Sequence, residues 1–262
     1  MKQVAEPGKI KLIVFDYSGT LANDLQPVYK SHVGSLLLLK ELELYNGYVP
    51  NFEEWINFAP RCISAWDTYE QLGIREHVPI ATIFYSVIYE ILSNDIKPYL
   101  YDGVEETLSS LKEKGLVLGV MSAHPHESLV REIKELGIDK YFSFVLGSVS
   151  DKKEKLKEIT EEFRLLPSNV VYIGDTNRDA NAGRGAGVGI IMKKKGYVED
   201  NVIDNKAKYF KKIDYPHILI EEFHELINHL EELEEMMQTY YDNSNPFETQ
   251  QLENLDFIFN LD

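Results

Sequence analysis

The stretch Lys11-Leu-Ile-Val-Phe-Asp16-Tyr-Ser18-Gly19-Thr20-Leu21 decides the fold. An apolar run leads straight into an aspartate, and a Gly-Thr pair follows three residues later. Such a run fits a strand buried on both faces, as in a parallel sheet with helices above and below. Chemistry in these sheets sits beyond the carboxyl ends of the strands. Asp16 is therefore expected at such an end, where a lone carboxylate can serve as nucleophile, metal ligand or both.

Further apolar runs repeat the pattern at Leu116–Met121, Asn169–Ile173 and Val188–Met192, with a weaker one at Phe142–Leu146. Helical spacing lies between them, in Val104–Lys114, Glu127–Leu136 and Lys152–Phe163. This alternation predicts a Rossmann-like, doubly wound parallel sheet with helices on both faces, a three-layer α/β/α core. One strand-to-strand crossover needs about one helix, yet nearly a hundred residues separate the first two strands. Residues 22–97, with candidate helices Val33–Leu44, Phe52–Trp66 and Ile80–Leu92, read as an inserted helical cap. The core is assigned to residues 1–21 and 98–228. Ile218–Met237 reads as an acidic amphipathic helix with Leu219, Phe223, Leu226 and Leu230 on one stripe. Residues 229–262 are assigned to an acidic, helical carboxyl-terminal extension, whose last segment is a minority candidate for contact with a protein partner.

Composition limits the function. Among 262 residues, 43 acids against 27 Lys and Arg give a net charge of −16. That charge disfavours nucleic acid and anionic membranes as partners. An anionic small substrate would then need local cations: a metal, a helix amino-terminus or a lysine. No run reaches the ~18 apolar residues of a membrane span, the start lacks a signal-peptide core, and a single cysteine, Cys62, suits a reducing compartment. The expectation is a cytoplasmic protein.

Four groups fall at strand ends. Asp16 ends the first strand and Ser122 the second, in Met121-Ser122-Ala123-His124. Lys152 and Lys153 open a helix after the weaker strand, and Gly174-Asp175-Thr-Asn-Arg-Asp179 follows the next. Magnesium takes hard oxygen ligands and keeps several waters. Asp16 and Asp175 can supply carboxylates, Asp179 can hold a metal-bound water, and the main-chain carbonyl of Ser18 can add an oxygen. A metal lets a carboxylate approach a phosphate dianion, and Asp16 can then attack phosphorus. Ser122, the backbone at Ala123 and His124, and the helix starting near His126 can hold phosphate oxygens. A lysine neutralises the transferring group. Ser18 and Gly19 lie in the same turn. Arg61 and Arg75, the insertion's two arginines, are candidates for a substrate carboxylate or second phosphate. The insertion's aromatics Trp55, Trp66, Tyr69, Tyr85 and Tyr89 are expected mainly to pack.

Together these residues resemble the haloacid dehalogenase-like superfamily. Phe15-Asp16-Tyr-Ser-Gly19-Thr20-Leu21 is similar to its first motif, Ser122 to its second, and Gly174-Asp175-Thr-Asn-Arg-Asp179 to its fourth. Lys152 best matches the third-motif lysine, with Lys153 the fallback. The resemblance implies Mg2+, an aspartyl-enzyme mechanism, a mobile cap and a small phosphorylated metabolite as substrate. The sequence departs from it at Ser18, where the phosphatases carry an aspartate that protonates the leaving oxygen. Such general acid–base help is worth roughly 10²–10⁴-fold. Three readings follow: a phosphatase that draws its proton elsewhere, for example from His124; a slow or inactive homologue kept for binding or regulation; or different chemistry. The last is disfavoured. Dehalogenases need no metal and lack the paired aspartates, and phosphonoacetaldehyde hydrolases use a cap lysine, whereas no lysine occurs between Lys40 and Lys97.

Overall fold

The computed structural model describes residues 9–58, 65–194, 215 and 217–243. Its centre is strand β1 (Leu12–Phe15), in which every side chain is buried. Alternate residues of a strand face opposite sides, and β1 splits accordingly. Ile13 and Phe15 enter one apolar cluster, Leu12 and Val14 another. Both faces of the sheet are thus covered, as the unbroken apolar run requires.

Two short strands, β2 (Ala22–Asn23) and β3 (Tyr99–Leu100), pair antiparallel at the two ends of the helical insertion. Within it run α1 (Leu25–Glu41), α2 (Phe52–Phe58), α3 (Ala65–Gln71) and α4 (Val78–Asp95). The candidate helices at 33–44 and 80–92 lie largely inside α1 and α4. The candidate spanning 52–66 corresponds to α2 and the start of α3, with residues 59–64 outside the described ones. Leu36 and Leu39 of α1 meet Val78 and Ala81 of α4 in a separate small core with Tyr45, Tyr69 and Ile74.

The core continues with α5 (Val104–Glu113), β4 (Val117–Met121), α6 (His126–Glu135), β5 (Phe144–Leu146), α7 (Lys152–Glu162), β6 (Val170–Gly174), α8 (Asn177–Ala186) and β7 (Gly189–Lys193). The last elements are β8 (His217–Ile220) and a helix here numbered α9 (Glu225–Asn243). The main sheet runs β5-β4-β1-β6-β7-β8, all parallel. The chain winds from β1 through β4 to β5 on one side, then through β6 and β7 to β8 on the other. The strand order therefore reverses at β1, and the crevice beyond it is where ligands of open α/β sheets bind. Helices α5, α6 and α9 pack on the face of Ile13 and Phe15, while α7 and α8 cover Leu12 and Val14.

One expectation fails here. The segment read as a helix from Ile218 to Met237 divides into strand β8 and helix α9. Ile218 and Ile220 alternate toward the core, but both lie inside a sequence whose Leu219, Phe223, Leu226 and Leu230 also fit helical spacing. The boundary drawn at residue 228 falls within α9, whose Leu226, Leu230, Leu233 and Met237 join the β1 core cluster. Tethers at the middle and the carboxyl end of the helix support this docking: Glu234 accepts from the Ile10 amide at 2.9 Å, and the Tyr241 hydroxyl donates to the Gly187 carbonyl. Ile220→Val should therefore cost about 0.5–1.5 kcal/mol, measured by urea unfolding. A helical, solvent-facing 217–220 would show no loss.

Candidate active site

Register places the site. Phe15 aligns with Val120 of β4 and Ile173 of β6. The residues just past these strands, Asp16, Ser122 and Asp175, consequently emerge on one edge of the sheet. Asp16 is 6% exposed, Asp175 1% and Asp179 0%. One carboxylate oxygen from each lies within 4.8 Å of the others. Lys152, at the start of α7, reaches into this cluster. Its Nζ is 2.9 Å from Asp16 Oδ2 and 2.7 Å from Asp179 Oδ1. Asp151 caps that helix by accepting the Glu154 amide at 3.0 Å, which fixes where Lys152 departs. Lys153 instead runs its aliphatic stem beside Gly185.

The turn after β1 is tight because the Tyr17 carbonyl accepts from the amides of Thr20, Leu21 and Ala22. Gly19 sits there at φ +78°, and an added Cβ would lie 2.4 Å from Asp175 Oδ2. Both the backbone and the neighbouring carboxylate thus demand glycine. Gly19→Ala should destabilise the fold by about 1–3 kcal/mol, checked by thermal unfolding. On the β6 side, an added Cβ at Gly174 would meet Asp179 Cγ at 2.4 Å. The absence of a side chain there lets α8 start against the strand end. Asp179 is then fixed by four donors: the Thr176 amide at 3.0 Å, Thr176 Oγ1 at 2.5 Å, Tyr172 OH at 3.0 Å and Lys152.

The electrostatics follow. Burial, reinforced by Asp179 and Asp175, outweighs Lys152 and pushes the Asp16 carboxyl up to about 6. Burial also acts against ionisation of Asp179, but Lys152 and the Thr176 donors overcome it and hold that group down at about 2. For Lys152, burial is outweighed by Asp16 and Asp179, so its ammonium is held more firmly than in water. Three close carboxylates against one ammonium leave excess negative charge in a desolvated place. A divalent cation with hard oxygen ligands suits that donor set, and Asp16, Asp175 and Asp179 are the residues that would hold it.

The remaining sequence candidates are placed as follows. Ser122 is 2% exposed; its amide donates to the Leu146 carbonyl at 2.9 Å, and its Oγ accepts from the His124 amide at 3.4 Å. Ala123 is exposed. His124 is buried, but its ring faces Asp24 and Glu132, each at 3.4 Å, in place of the backbone partners usual for a loop histidine. The Ser18 hydroxyl is half-buried and donates to Asp24 Oδ2 at 2.7 Å. Arg61 and the tail beyond Asn243 lie outside the described residues. Arg75 is an exposed surface residue paired with Glu70. Trp55, Tyr69 and Tyr89 are buried, as packing residues should be.

Sequence reasoning missed Tyr17, Asp24, Tyr89 and Glu132, which surround His124, and Tyr172 and Thr176, which hold Asp179. Glu132 did carry a signal: it is a charge on the buried stripe of α6, beside Leu129 and Ile133.

A doubly wound parallel sheet that brings a lysine and three buried carboxylates to its topological switch point defines an α/β enzyme core. The chain belongs to the haloacid dehalogenase-like hydrolases, whose family profile matches residues 13–193. Phosphoglycolate phosphatase of Haemophilus influenzae is 32% identical over 201 residues, 72% of this chain and 88% of that protein. Pyrophosphatase PpaX of Listeria innocua is 29% identical over 184 residues, covering 68% and 81%. Among solved structures, a predicted phosphatase from Clostridium acetobutylicum shares the fold at TM-score 0.68 and 20% identity, over 86% of this chain and 99% of that one.

Proposed function

We propose that this chain hydrolyses a small phosphorylated metabolite with Mg2+, through an aspartyl phosphate on Asp16. The observation that carries the reading is Lys152 bridging Asp16 and Asp179 inside the carboxylate cluster. Names of the relatives support hydrolytic release of a phosphoryl group, since one is a phosphoglycolate phosphatase and another a pyrophosphatase.

Each residue has a task. Asp16 accepts the phosphoryl group on one carboxylate oxygen, while the Tyr17 amide, 2.8 Å from Oδ1, orients the carboxylate. Lys152 offsets the charge that gathers as nucleophile and phosphate meet. Ser122 and the amides leading to α6 take phosphate oxygens. Asp16, Asp175 and Asp179 would hold the ion through carboxylate oxygens, and the ion when bound would let two anions approach. The helical insertion acts as a cap that excludes water and contacts the rest of the substrate; Arg61 is its candidate anion contact. Cytoplasmic residence fits a chain with one cysteine in 262 residues, and among the described residues no helix is long and apolar enough to cross a membrane.

A slow or regulatory homologue is the second reading, favoured by Ser18, whose hydroxyl cannot match a tuned carboxylic acid. A screen over small phosphate esters with Mg2+, and with the metal chelated, separates the two. Metal-dependent phosphate release supports the phosphatase. A trapped aspartyl phosphate without turnover supports the slow homologue. Halide release without metal would overturn both.

A further inference from the structure

A cluster of buried polar side chains lies between the inserted helices and the core, and these side chains have no task in the scheme above. At its centre, His124 Nδ1 faces Asp24 Oδ2 and His124 Nε2 faces Glu132 Oε2. Asp24 comes from the start of the insertion, Glu132 from α6, and both are essentially without solvent exposure. Asp24 Oδ2 also accepts Ser18 Oγ at 2.7 Å and Tyr89 OH at 3.3 Å. Glu132 Oε2 accepts Tyr17 OH at 2.9 Å and Tyr89 OH at 3.3 Å. Arg131 approaches Glu132 Oε1 at 3.7 Å and is otherwise engaged by Glu90 and Ser93 of α4. The rings of Tyr89 and Tyr17 meet His124 edge-on, with centroids 4.4 and 5.3 Å away.

Two carboxylates taken out of water need a cation between them. A protonated His124 supplies it. Burial alone would discharge the ring, but the Asp24 and Glu132 carboxylates facing it outweigh burial and push it up to about 9. The arrangement therefore stores a proton at neutral pH, connected through Asp24 to Ser18. Ser18 is the one position where this chain lacks the acid of the phosphatases it resembles.

We propose that Ser18, Asp24 and His124 form a proton relay that replaces the carboxylic acid expected at position 18. The inference rests on the phosphatase reading. In the first step the bond from phosphorus to the leaving oxygen breaks as the bond to Asp16 forms. The Ser18 hydroxyl gives its proton to the leaving oxygen and regains one from His124 through Asp24, which leaves His124 neutral. In the second step water attacks phosphorus and the bond to Asp16 breaks. One water proton passes to Ser18 Oγ as the hydroxyl's own proton moves through Asp24 to His124. The cycle returns every group to its starting state. The hydrogen bond from Ser18 to Asp24 already points in the direction the second step needs. In this relay Ser18 is the group that would face the leaving oxygen, while Asp24 and His124 act through it and are positioning residues.

Two esters test the relay on the full chain with Mg2+. The alkyl leaving group of phosphoglycolate needs a proton, whereas p-nitrophenolate departs without one. Ser18→Ala and His124→Gln should each slow single-turnover cleavage of the alkyl ester by about 10²-fold or more and affect p-nitrophenyl phosphate far less. The loss of alkyl-ester activity as pH rises through about 9, set by His124, should vanish in Ser18→Ala. Adding Ser18→Asp should restore the rate of His124→Gln. Equal losses on both esters, or a full alkyl-ester rate in Ser18→Ala, overturn the relay. If His124→Gln fails to fold, Ser18→Ala still provides both readouts. Turnover that survives Asp16→Asn overturns the phosphatase reading itself, a result independent of Ser18.

Discussion

Asp16→Asn leaves a folded protein whose turnover of phosphate esters falls by at least about 10⁴-fold, the scale seen when a covalent nucleophile is removed. The amide keeps the shape of the carboxylate and can still accept the Tyr17 amide, which lies 2.8 Å from Oδ1. It loses the nucleophilic oxygen and the charge. Stability should not fall with activity. Burial and the nearby Asp179 and Asp175 carboxylates already make ionisation of Asp16 unfavourable, pushing it up to about 6. The neutral side chain relieves that repulsion, although it also gives up the Lys152 contact at 2.9 Å. Phosphate release and a thermal melt on the same preparation check both halves. Turnover near the native rate would remove Asp16 from the mechanism. A collapse in melting temperature would mean that the cluster is held together chiefly by its ion pair.

Glu132→Ala should destabilise the fold by about 3–5 kcal/mol, the cost of breaking a buried charge pair from one side. The substitution strips His124 of one of its two anions, deprives Tyr17 and Tyr89 of their shared acceptor, and opens a gap beside Arg131. The penalty should depend on pH. His124 ionises at about 9 in the fold and near 6.5 when unfolded. Its charge therefore adds stability that is fully present below about pH 6.5 and is lost as pH rises through about 9, on the order of 3 kcal/mol by linkage. Urea unfolding of native and variant proteins at pH 6.5 and 10 should show the gap between them narrowing at the higher pH. A gap independent of pH would mean that His124 is neutral in the native state.

The parts of the fold that reveal themselves in sequence are those in which one short segment carries the whole signal. β1 does so because both of its faces are buried, leaving four consecutive apolar residues and an abrupt Asp16. Asp175 and Asp179 do so because a strand end, a close-approach glycine and a helix start occupy six consecutive residues. β8 stays hidden because four residues at a sheet edge cannot outweigh a helical stripe that continues through the same leucines. The His124 cluster is hidden for a different reason. Its members lie at positions 17, 18, 24, 89, 124 and 132, on the first turn, the insertion, the loop after β4 and α6, and only the folded packing of insertion against core unites them. Besides Ser18 and His124 themselves, a charged residue on an apolar helical stripe, Glu132, was the trace left in the chain.

The docking of α9 bears on how the protein is made. Leu226, Leu230, Leu233 and Met237 cover the same side of the sheet as Ile13 and Phe15, and Glu234 holds the amide just before β1. A nascent chain arrested before this helix emerges would leave that side covered by α5 and α6 alone, with its Asp16 loop already synthesised but part of its hydrophobic lining open to other polypeptides. At 5–20 residues per second, the interval between translating β1 and translating Asn243 spans roughly ten to fifty seconds. Final closure of the core thus waits until α9 has been translated, and the partly open intermediate is the species a chaperone would meet.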